Sequence, residues 1–86
     1  MRHITRDRLA DIEPLLAQLR AVDGLVERTP GAFYVRSRAF LHFHEHGDDI
    51  YADVRLEGTD FDRRRVTTAA EQRRLVSAVR RALRAN

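Results

Sequence analysis

The first apolar pattern along the chain has a helical period. Leu9, Ile12, Leu16 and Leu19 recur at spacings of three and four, and Leu15 and Val22 widen the same stripe, an arrangement that gives a helix one buried face. Pro14 falls inside the stripe and removes a backbone donor. Two structures satisfy the pattern. One is a helix from about Thr5 kinked at Pro14. The other is a short turn before a helix that starts near Asp11 and holds Pro14 in its first turn. Asp23-Gly24 closes the segment, since glycine takes the left-handed conformation that follows a last helical turn. Thr29-Pro30-Gly31 reads as a loop.

Beyond that loop the period falls to two. Phe33-Tyr34-Val35, Phe40 to Glu45, and Ile50 to Leu56 alternate and are rich in aromatic and β-branched residues, which predicts strands. Gly47-Asp48 is a hairpin turn signal. With His46 opposite Asp49, Phe43 faces Ala52 and Leu41 faces Val54 on one side. On the other, His44 faces Tyr51 and His42 faces Asp53. A slip of one residue would mix the apolar and charged faces. For the preceding hairpin, a three-residue loop at Ser37-Arg38-Ala39 aligns Phe33 and Val35 with the apolar side. After Glu57-Gly58-Thr59-Asp60, an extended piece through Val66 adds an edge strand whose three arginines discourage further pairing. Thr68 with Glu71 three residues on forms a capping box for a last helix, and Leu75, Val76, Val79 and Leu83 are its inner stripe.

The expectation is an α+β fold with the order α-β-β-β-(β)-α. An antiparallel sheet of three to four strands carries the N- and C-terminal helices on one face. The 86 residues make one small domain, burying only about 60–65% of the chain's surface and leaving the far sheet face open. Hydrophobic residues at 43% and charged residues at 34% exclude collagen-like and disordered classes. No uncharged stretch approaches the roughly 20 residues of a membrane-spanning helix. There is no cysteine, hence neither disulfides nor a thiolate metal site.

All 16 basic residues are arginine, which fits the bias of a GC-rich coding sequence better than selection for phosphate binding, where lysine also serves. The net charge of +3 is ordinary for a small domain. Its distribution is uneven. Residues 63–86 hold eight arginines against the single acid Glu71, whereas residues 1–62 hold eight against twelve acids. Met1 to Thr5 has no hydrophobic signal core, which places the expected location in the cytoplasm.

The far face carries the candidate chemistry: Tyr34, Arg36, Phe40, His42, His44, Tyr51, Asp53 and Arg55. Three uses compete. His42, His44 and His46 alternate on one side of a strand, and His42 with His44 and Asp53 is a possible metal ligand set, although cross-strand His–Asp and His–Tyr pairing accounts for the same residues. Aromatics interleaved with arginine resemble platforms for stacked bases, and Arg73, Arg80 and Arg84 on the last helix offer a second route to nucleic acid. The acids around the Gly47 turn oppose a phosphate backbone. Finally, Tyr34, Phe40 and Tyr51 on an open face suit protein association, and a two-fold homodimer would add the depth that a short chain lacks. The leading expectation is this homodimer, a binding domain without enzymatic activity or cofactor. The four glycines stand singly at turns, and neither Ser37 nor Ser77 lies in a nucleophile motif.

The run Gly31-Ala32-Phe33-Tyr34-Val35-Arg36-Ser37-Arg38-Ala39-Phe40-Leu41-His42-Phe43-His44, followed by Ile50 to Leu56, resembles the hairpins of two groups of small bacterial domains. One carries a luciferase-family label and has a strand with H-x-H ahead of an Asp-bearing strand. The other is the YjbR-like group. The first resemblance implies that His42, His44 and Asp53 form a shared polar cluster, without implying light emission. The second implies a link to DNA binding. Both rest on under half of the chain.

Overall fold

In the computed structural model, which describes residues 1–84, the elements in chain order are β1 (Arg2–His3), α1 (Arg6–Ala10), α2 (Glu13–Arg20), β2 (Val26–Thr29), β3 (Ala32–Val35), β4 (Arg38–His46), β5 (Asp49–Val54), β6 (Asp62–Arg65) and α3 (Ala69–Arg84). The helical stripe at the N-terminus divides in two, and the backbone bonds show why. Thr5 Oγ1 accepts the Arg8 N–H and opens α1. At its end the Asp11 and Ile12 amides donate to carbonyls only three residues back, the tightening that often terminates an α-helix. Helical bonding resumes from the Leu16 N–H to the Ile12 carbonyl. Pro14 then lies in the first turn of α2, where its missing donor costs nothing.

The fold is α+β, as expected, but its sheet has six strands in the order β2-β3-β4-β5-β6, with β1 also paired to β4. The additional members are β1 and β2, the short strands of the N-terminal half. In β2 the one apolar residue, Val26, is 54% exposed, so no buried alternation marks the strand. The β4–β5 register is the one the alternation requires, with His46 opposite Asp49 and Leu41 opposite Val54. At the far edge β6 brings Arg63, Arg64 and Arg65 against Asp53, Ala52 and Tyr51.

The β3–β4 hairpin departs from expectation. Its loop is the two-residue turn Arg36-Ser37, both residues left-handed at φ 52° and 71°, with Val35 opposite Arg38 rather than a three-residue loop at 37–39. Register then shifts between Tyr34–Ala39 and Phe33–Leu41, leaving Phe40 as the extra residue of a β-bulge. Strict alternation cannot bury both Phe40 and Leu41. The bulge does, leaving them 7% and 1% exposed. Phe40 is therefore a core residue, not a member of the far face, and Arg36 sits exposed in the turn.

The core lies on one side of the sheet. Phe33, Leu41, Phe43, Ala52 and Val54 meet Leu15, Leu16 and Leu19 of α2 and Leu75, Val76 and Val79 of α3. The α3 capping box forms in both directions, Glu71 N–H to Thr68 Oγ1 at 3.2 Å and Thr68 N–H to Glu71 Oε1 at 2.9 Å. Arg8 of α1 donates to the Gly47 and Asp48 carbonyls and clasps the β4–β5 turn. No described helix is long and apolar enough to cross a membrane.

Candidate functional site

With helices on one side only, His42, His44 and His46 of β4, beyond the bulge, and the odd-numbered residues of β5 emerge on the uncovered face. Asp53 is at its centre. The register puts Arg63 of β6 beside it, and the guanidinium grips the carboxylate through two bonds, Nε to Oδ1 at 2.8 Å and Nη2 to Oδ2 at 2.9 Å. Arg63 and the neighbouring side chains leave Asp53 only 8% exposed. The Arg63 bond, outweighing the penalty of burial, holds the Asp53 carboxyl below the usual carboxylate range, so the group is ionised at neutral pH.

Two imidazoles converge on the same carboxylate oxygen. His44 Nε2 lies 3.1 Å and His42 Nε2 3.5 Å from Asp53 Oδ2. The longer separation exceeds ordinary hydrogen-bond length. Burial pushes the His42 pKa down, with the Asp53 charge opposing it, and the ring is neutral at pH 7. The ligand atoms of His42, His44 and Asp53 all lie within 4.8 Å of one another.

Other residues complete the surroundings. His3, carried by β1 opposite His44, stacks on the His44 ring at 4.6 Å. Phe61 meets His42 edge-on at 5.0 Å, and the half-buried Arg55 stacks on Phe61, its guanidinium carbon 4.2 Å from the ring centroid. Tyr34 is half-buried beneath Arg28, whose guanidinium carbon is 4.9 Å from its ring centroid. Tyr51 is also half-buried.

The structure therefore brings together His42, His44 and Asp53 and keeps Tyr34, Tyr51 and Arg55 on or beside the same face. His46 is exposed at the turn and outside the cluster; the third imidazole is His3. Of the acids expected to repel a phosphate backbone, Glu45 points to the helix side and is 5% exposed. It accepts the Thr5 N–H at 2.8 Å and pairs with Arg2. Asp49 pairs with Arg65. Arg73, Arg80 and Arg84 are exposed along α3, away from the histidines. His3 carries no local signal, because its pairing spans almost half the chain. Arg63 was accessible in principle by extending the β5 register across one more strand.

Comparison with protein-family models, with curated proteins and with solved structures finds no match, so function has to be read from these residues.

Proposed function

We propose that the domain binds a divalent transition-metal ion through His42 Nε2, His44 Nε2 and Asp53 Oδ2. The observation that carries the reading is the convergence of both imidazole nitrogens on one carboxylate oxygen. Metal–ligand bonds of about 2.0–2.1 Å place tetrahedral neighbours roughly 3.3 Å apart. The two His–Asp53 separations of 3.1 Å and 3.5 Å bracket that value, while the set as a whole spans up to 4.8 Å, so the imidazoles would have to close on the ion. Two histidines and a carboxylate suit zinc, iron or cobalt rather than calcium or magnesium. Arg63 has the part of an outer partner, fixing the carboxylate that faces the ion. Its positive charge opposes a cation, which favours a site of modest affinity.

The test uses untagged protein purified without chelator, analysed by native mass spectrometry and titrated with Zn²⁺ and Co²⁺. One ion per chain is expected, with uptake lost in His42→Ala and His44→Ala and kept in His46→Ala. Equal uptake by all three variants and the parent, or no uptake by the parent, overturns the reading.

A second reading is a homodimer across the same face. It is favoured by Phe61, 36% exposed beside His42 on a face that no helix covers. The same spectra report it as doubled mass without metal, and Tyr51→Asp then yields a folded monomer.

A further inference from the structure

A concavity of a different kind lies at the other end of β4, away from the Gly47 turn. It is a cavity of about 330 Å³ lined by Val35, Arg36, Arg38, Ala39, Phe40, Arg55, Leu56, Gly58 and Leu83. Its lining combines apolar side chains with three arginines and has no acid. Among the described residues Arg36, Arg38 and Arg55, like most arginines of the chain, have no ion-pair partner, since only Arg2, Arg8, Arg20, Arg63 and Arg65 are paired. The Arg55 Nε is buried without any hydrogen-bond partner, a state that costs free energy for a charged donor.

The backbone around the cavity is irregular in two places. Arg36 and Ser37 are both left-handed at φ 52° and 71°, where a hairpin turn of this kind ordinarily takes Asn-Gly. The Phe40 bulge lies on the next strand. Strained turns and bulges recur where a side chain must be aimed at a ligand. Here the turn sets Arg36 and Arg38 at the lip, and the bulge lays Phe40 into the floor.

We propose that this cavity binds a small organic oxyanion, a carboxylate or phosphate ester on an apolar body. The guanidinium groups meet the oxyanion and Val35, Phe40, Leu56 and Leu83 enclose the body. Arginine forks match both oxyanions, and the volume is near the lower end for ligand pockets. The proposal does not rest on metal binding, although Phe61, covered by Arg55 and edge-on to His42, joins the two sites.

The test maps ¹H–¹⁵N amide shifts during titration with octanoate, octyl phosphate, octanol and inorganic phosphate. Saturable shifts centred on residues 35–40, 55–58 and 83 are expected with octanoate, octyl phosphate or both, and the stronger of the two names the headgroup. Octanol and inorganic phosphate should bind at least tenfold more weakly. Arg38→Gln and Arg55→Gln should each weaken the preferred ligand at least tenfold. The dispersed spectrum of each variant reports folding, and Arg38, an exposed turn-side residue, supplies the test if Arg55→Gln unfolds. Octanol binding as well as octanoate, inorganic phosphate binding as well as octyl phosphate, shifts confined to the α3 arginines, or no saturable shift at all overturns the proposal.

Discussion

Replacing Arg36-Ser37 by Asn-Gly is expected to stabilise the protein while weakening the arginine-rimmed cavity. Both residues are left-handed, at φ 52° and 71°, and for a side-chain-bearing residue that conformation costs roughly 1–2 kcal/mol. Glycine at 37 relieves the cost there but forfeits about 0.5–1 kcal/mol to the extra freedom of the unfolded chain. It also removes the exposed 3.2 Å bond from Arg28 Nη2 to Ser37 Oγ, a minor loss. Asparagine at 36 relieves part of its own cost, because its short amide tolerates this region. The net for R36N/S37G is a gain of about 1 kcal/mol, a rise in Tm of roughly 4–8 °C for a domain of this size. Arg36→Ala is the control. It removes the same charge, leaves the strain, and should not raise Tm. Urea unfolding with a fixed m-value and calorimetry measure both variants. A double variant no more stable than the parent, or an Arg36→Ala variant stabilised equally, refutes the claim that strain is stored in this turn.

Two further outcomes follow from the packing and the charges. A Cβ at Gly31 would stand 2.8 Å from Leu9 Cδ1 with φ at +77°, whereas one at Gly47 meets nothing within 4 Å at φ +60°. Gly31→Ala should therefore destabilise by about 1–3 kcal/mol more than Gly47→Ala, and a double-mutant cycle with Leu9→Ala should recover part of the difference; strict additivity in urea melts would remove the contact. Bonds from Arg20, from Arg65 and from the Thr68 N–H hold Glu27, Asp49 and Glu71 respectively below their ordinary carboxylate values. The unfolded chain then binds more protons in acid, so their stabilisation is full above roughly pH 5 and is lost as pH falls through the lowered values; a Tm that stays flat from pH 7 to pH 3 would contradict it.

The parts legible beforehand were those in which side-chain pattern and local backbone chemistry agree. In β4 and β5 a single register buries Leu41, Phe43, Ala52 and Val54 together, and Thr68 with Glu71 needs only four residues to close its box. The same register placed His42 and Asp53 across from each other. Phe40 was misplaced because two adjacent apolar residues can both be buried only by breaking the alternation that guided the assignment. Arg36-Ser37 gave no sign of a tight left-handed turn, since neither residue favours one. His3 and β1 were invisible for a different reason. Two residues have no period, and their pairing to β4 is decided by the whole fold, with Glu45 receiving the Thr5 N–H from the helix side.

β4 has neighbours along both flanks, β1 and β3 on one and β5 on the other, and amides in its centre should exchange with deuterium only when the domain opens as a whole. His42 and His44 ride on that most persistent segment, while His3 belongs to a two-residue strand and Arg63 to the outermost one. The open face thus has its floor on the central strand and its border on the short outer ones, where Arg63 is tied down by Asp53. For the metal site proposed above, the two imidazoles would be ordered in advance, and entropy would be spent mainly on the residues around them.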